Sequence, residues 1–177
     1  MSDELTHIRK RLADEGEKTL EFFETLYPED WERQVYTTGP KWRVGDILAH
    51  FISAEKAYQY YLQDILRGGD GAPDTMDIDQ FNESEVARMQ GTPPELLASF
   101  RTVREHTIQL TENLAEEDLS RVANHPWFNQ KEVGWYLKLI YRHNTMHRMD
   151  IRKSIREKAP LPHIDNPRTN GTISPED

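Results

Sequence analysis

The chain has no cysteine among its 177 residues. That excludes disulfides, Cys-ligated zinc, iron–sulfur clusters and a Cys nucleophile. A metal must then be held by His, Asp or Glu, and thiol chemistry must use an external thiol. No apolar run approaches the roughly 18 residues of a membrane span. The first ten residues, MSDELTHIRK, lack the apolar core of a secretory signal. The expected compartment is the cytoplasm. Positive charge is also scarce: 22 basic against 31 acidic side chains leave a formal net charge of -9. Such a surface repels phosphate backbones and anionic lipid, so the expectation from charge is no nucleic acid and no membrane.

Apolar residues make up only 36% of the chain, and mean hydropathy is -0.82. Yet 4 Trp, 7 Tyr and 6 Phe are too many for a disordered chain. Polar composition with retained aromatics points to long amphipathic helices with wide solvated faces.

Apolar periodicity places four helices. Leu5, Ile8, Leu12, Thr19, Phe22, Phe23 and Leu26 mark the first, over residues 2–26, with Gly16 interrupting its face. Tyr27-Pro28 ends it, because the residue before proline avoids helical backbone angles. Val44, Ile47, Leu48, Phe51, Ala54, Tyr58, Tyr61, Leu62 and Ile65 mark the second, over 44–67. A polar stretch follows, with one short helix expected near 80–89; Asp74, Asp77 and Asp79 read as a solvated loop. Thr92-Pro93-Pro94-Glu95 is a capping box that opens the third helix. The fourth, over 131–158, carries Val133, Tyr136, Leu137, Ile140, His143, His147, Ile151 and Ile155 on one stripe. No segment alternates with period two long enough to predict a strand. The expected fold is all-α, a four-helix bundle over residues 1–158 followed by a Pro-rich tail, 159–177, that is extended or disordered.

His143 and His147 are four apart, so their rings leave one helix face on adjacent turns. They lie on the apolar stripe, where buried imidazoles need partners for their ring nitrogens. Two readings stand. Either both are core histidines bonded to polar residues of other helices, or they share a metal. His50, flanking the stripe of the second helix, is the candidate third ligand. His7 and His106 read as solvated or local, His125 as a loop residue before Pro126, and His163 as part of the tail. Three His without Cys suit zinc, nickel or iron(II), with open positions for water. Such a cation lowers the pKa of a bound water or an incoming thiol. The pair lacks the Glu of HExxH, and no Walker A, GxGxxG or GxSxG is present. Arg142, Arg148, Arg152, Lys153, Arg156 and Lys158 read first as complements to the dipole at the end of the last helix, and second as an anion-recruiting rim.

The segment Trp42-Arg43-Val44-Gly45-Asp46-Ile47-Leu48-Ala49-His50 resembles one motif of the DinB/YfiT-like family. His125-Pro126-Trp127-Phe128, followed by the helix from Ile140 to Ile151, resembles that family's closing motif. The likeness spans roughly residues 5–158. It implies a bundle with up-down-down-up connectivity, often dimeric, and a nickel or zinc ion held by His50, His143 and His147. It also implies kinship with thiol-dependent transferases. Asn129 stands where the family has Gly, and Asp150 where Gln is common. Two functions follow as expectations. One is a metal-dependent transferase or hydrolase that activates water or a low-molecular-weight thiol toward a small-molecule substrate, as a homodimer. The other is a non-catalytic metal-binding or dimeric binding module.

Overall fold

Helix ends sit where local chemistry puts them. The computed structural model describes residues 3–73 and 75–163. Helix α1 (Glu4–Glu24) is capped by Asp3, whose side chain accepts the Leu5 N–H. Pro28 does end that helix, but it also occupies the first turn of a short α2 (Pro28–Trp31), a position that suits its missing N–H. Helix α3 (Val44–Leu66) starts with the Asp46 carboxylate accepting the Arg43 N–H at 2.9 Å. Helix α4 (Ile78–Arg88) is capped by Asp77, which accepts from Gln80, so Asp77 has a structural role beyond a solvated loop. Asp74 lies outside the described residues. At the start of α5 (Pro93–Glu112), Glu95 accepts the Thr92 N–H at 2.8 Å, as the capping motif predicts. Helix α6 (Val133–Glu157) ends at Lys158 in left-handed backbone, φ 53°.

The protein is mostly helical, but the expectation of no strands fails. A two-stranded antiparallel hairpin, β1 (Val122–His125) and β2 (Asn129–Glu132), precedes α6, after a short 3-10 helix at Glu116–Ser120. Four-residue strands are too short to display period-two patterning. Asn129, the residue in the family's Gly position, has φ 56°. Asn is among the few non-glycine residues that adopt that conformation readily, so the hairpin is kept.

Helix α1 packs on α5 and α6, and α3 packs on α4, α5 and α6. Their faces build two apolar clusters. One gathers Phe23, Ile47, Leu48, Phe51 and Phe100; the other gathers Ile8, Leu12, Leu62, Leu137 and Ile140. Each long helix turns polar between its contributions to the two. Glu15 on α1, Glu55 and Gln59 on α3, Arg104 and Thr107 on α5, and Asn144 and Arg148 on α6 are all buried. Arg104 grips Glu55 with two bonds of 2.7 and 2.9 Å, and Thr107 donates to the same carboxylate at 2.6 Å. Arg148 pairs with Glu15 at 2.5 Å. Arg148 is therefore not one of the solvated basic residues of the last helix. Gly16 has its reason here: a Cβ there would lie 2.9 Å from the Arg104 side chain.

After the left-handed Lys158 and a bend at Ala159 the chain runs extended at Leu161. Leu161 pairs with the Val35–Thr37 strip through Leu161 N–H to Val35 O (2.7 Å) and Thr37 N–H to Leu161 O (2.8 Å). The rest of the tail, 164–177, lies outside the described residues. Among the described residues no helix is long and apolar enough to cross a membrane.

Candidate metal centre

His50, on the second turn of α3, faces His143 and His147 on α6 at the level of the polar layer. Each offers one ring nitrogen, and these nitrogens lie within 4.8 Å of one another. His143 Nε2 is 3.0 Å from His50 Nε2 and 3.0 Å from His147 Nε2. His143 Nε2 carries at most one proton, so it can donate to only one of the two neighbours.

The proton on His147 can be assigned. Tyr36 donates its hydroxyl proton to Asp150 Oδ2 at 3.0 Å. Burial, and then the nearby Asp150 charge, push the Tyr36 pKa far up, so the phenol keeps its single proton. His147 Nδ1, 2.5 Å from the same hydroxyl, must therefore be the donor to it. That leaves His147 Nε2 as a bare lone pair aimed at its two neighbours. Burial, reinforced by the adjacent imidazoles, holds His50 and His147 well below the usual His range. Burial likewise lowers His143, to about 4. All three rings are neutral at pH 7, which is the form that ligates metals. Three converging neutral nitrogens, one of them a bare lone pair, fit a divalent cation.

Two cavities open onto the cluster. One, of about 280 Å³, runs from His50 and His143 along Tyr58, Phe81, His125, Trp127 and Phe128, and its walls are overwhelmingly apolar. The other, of about 250 Å³, touches all three histidines and is bounded by Trp42, Asp79, Glu83 and His163. Trp127 lines both.

Two residues set aside in the sequence therefore belong to the site's surroundings. His125 is buried in the wall of the apolar cavity. His163 packs edge-on against Tyr36, ring centroids 4.3 Å apart, and lines the second cavity. His7 and His106 are exposed, as expected, but His106 also reaches across to Gln59 on α3, Nδ1 to Oε1 at 3.0 Å. Tyr36 was not legible at all: it sits in an irregular segment with no motif around it. Asp150 was visible only as a departure from a family pattern; its task is to orient Tyr36.

A mostly helical protein with a buried three-imidazole cluster at mid-height is the class that fold and site define. Residues 11–151 match the model of the DinB superfamily, and the chain belongs to that superfamily. No curated protein matches it. Solved structures share the fold at low identity. An uncharacterised protein from Escherichia coli UTI89 is 12% identical, with a TM-score of 0.68 over 91% of this chain and 98% of that one. An uncharacterised protein from Clostridium difficile 630 is 11% identical, with a TM-score of 0.69 over 88% and 97%. The colibactin self-resistance protein ClbS, in complex with double-stranded DNA, is 11% identical, with a TM-score of 0.67 over 84% and 93%. The last finding corrects the exclusion of nucleic acid. Net charge is a sum over the whole surface, whereas a duplex meets one face, so a total of -9 does not exclude such a partner for this fold.

Proposed function

We propose that this protein is a divalent-metal-dependent enzyme whose ligands are His50, His143 and His147. Nickel or zinc suits three neutral imidazoles best, and iron(II) is compatible. The observation that carries the reading is the meeting of two 3.0 Å contacts at His143 Nε2, with His147 Nε2 held proton-free by Tyr36 and Asp150. A bound cation supplies Lewis acidity, lowering the pKa of a water or low-molecular-weight thiol at an open position. The chain's residues do the rest. Tyr36 and Asp150 fix the ring of His147. The Glu55–Arg104 and Glu15–Arg148 pairs hold α3 and α6 in register with α5 and α1. The apolar cavity excludes water from one side of the cluster. The reaction class is transfer of the thiol to an electrophile, or hydrolysis.

We also infer an up-down-down-up run for α1, α3, α5 and α6. Helices α1 and α6 give their N-terminal halves to the Leu12–Leu137 cluster, whereas α3 gives its C-terminal half; α5 gives its N-terminal half to the other cluster. That pattern supports α3 and α5 running opposite to α1 and α6.

The test is elemental analysis of protein purified without chelator, beside His147→Ala. One metal per chain is expected, lost on substitution, together with turnover of a thiol and a model electrophile that EDTA abolishes. Metal without chelator-sensitive turnover would leave a non-catalytic metal-binding bundle.

A second reading, DNA binding, is favoured by the ClbS complex and by the exposed basic residues Arg152, Lys153, Arg156 and Lys158 on α6 and at its end. Salt-sensitive retention of a duplex, reduced by charge reversal at Arg152 and Arg156, would support it; no retention at low salt would remove it.

A further inference from the structure

The apolar cavity contains one polar pair whose proton positions follow from geometry. His125, at the end of β1, is 5% exposed. Its Nδ1 lies 3.1 Å from the Trp127 backbone N–H nitrogen and 3.3 Å from that of Phe128. A ring nitrogen that accepts N–H bonds presents a lone pair, so the proton of the neutral ring is on Nε2. That nitrogen is 3.3 Å from the Tyr58 hydroxyl. Nε2–H cannot accept, so the Tyr58 oxygen is the acceptor and its own hydrogen turns away from His125. Burial pushes the Tyr58 pKa up, so the hydroxyl stays protonated. Among the described residues Tyr58 makes no other hydrogen bond. The indole N–H of Trp127, from the same cavity, is buried and also lacks a partner among the described residues. Buried donors without acceptors are costly and uncommon, and a ligand is one way to satisfy them.

We propose that this cavity binds a neutral, largely apolar, ring-bearing molecule with one hydrogen-bond-accepting oxygen, a carbonyl in the simplest case. That oxygen accepts from Tyr58, and His125 is the positioning residue that turns the hydroxyl toward it. The aromatic walls favour a planar apolar body, and a buried charge is disfavoured because the charged side chain of the lining, Arg142, is exposed and repays little of its desolvation. The volume, about 280 Å³, sits at the small end of small-molecule sites. As the substrate pocket of the metal centre, this proposal rests on the enzyme reading above; as a ligand site it does not.

The test is binding, not turnover, on the full chain with and without EDTA. Acetophenone is compared with α-methylstyrene, in which C=CH₂ replaces C=O at nearly constant shape, by ligand-observed NMR titration. The ketone is expected to bind about five- to tenfold more tightly, the worth of one neutral hydrogen bond. Tyr58→Phe should bring the two affinities together while leaving that of the alkene unchanged. His125→Asn keeps an acceptor for the Trp127 and Phe128 N–H groups but loses the donor to Tyr58. It should lower the ketone preference while the alkene still binds, with some loss of thermal midpoint because a buried ring is removed. Equal binding of both compounds by the wild type, no binding of either, or a preference that survives Tyr58→Phe would overturn the proposal. An unchanged preference in His125→Asn would remove His125 from it. A preference seen in metal-free protein stands even if no metal is found, and metal without a preference overturns the pocket while sparing the metal reading.

Discussion

Tyr36 and His147 meet across 111 residues of chain, hydroxyl oxygen to Nδ1 at 2.5 Å. The contact converts an irregular segment near the start of the chain into the orienting partner of a ring on the last helix. With Asp150 behind it, the hydroxyl can only accept from His147, and the far nitrogen of that ring is left bare. Outer partners of this kind set both tautomer and orientation of metal-binding histidines.

Tyr36→Phe should therefore lower metal affinity about 10- to 100-fold while the helical circular dichroism stays as it was. Competition with a chromogenic chelator measures it. Unchanged affinity would separate Tyr36 from the metal site.

Glu55 and Arg104 are 2% and 4% exposed, so removing one partner strands the other as a buried charge. Glu55→Gln should cost about 3–5 kcal/mol of stability, whereas replacing both by Leu and Met should cost much less. Urea unfolding of the two variants distinguishes them.

Glu15 carries the pH dependence of the polar layer. Burial alone pushes its pKa up, but hydrogen bonds from Lys18 and Arg148 outweigh that and hold it at about 2, against 4.5 ordinarily. The folded value is depressed, so the contribution is fully present above the unfolded pKa and is lost as pH falls from about 4.5 to about 2. The difference in denaturation midpoint between wild type and Glu15→Gln should shrink over that window and stay constant above about pH 6.

At Asn129 the backbone is left-handed, with φ 56°. Asn129→Gly should be neutral or slightly stabilising, and Asn129→Val should cost about 1–2 kcal/mol. Thermal melts of both variants check the sign. A tolerated Val would mean that the hairpin rearranges.

The long helices, the Thr92–Glu95 capping box and the pairing of His143 with His147 were legible in the sequence because they depend on neighbours within four residues; the capping by Asp77 was not, since it was read as solvated loop. His50 was found because it flanks an apolar stripe and because its motif resembles a known family. The hairpin escaped because its strands are four residues each. His125 and His163 escaped because loop and tail carry no periodicity from which a spatial neighbour could be inferred.

Local chemistry by itself determined where the chain is helical, which faces are apolar, and that any metal must be held without thiolates. Tertiary structure alone decided that Tyr36 reaches His147, that Arg148 is buried against Glu15 rather than solvated, and that Tyr58 and His125 share one wall of a cavity. These contacts join residues scores of positions apart. Their geometry is set by how whole helices pack, a balance of burial and polar satisfaction over the full core that no short window of sequence contains.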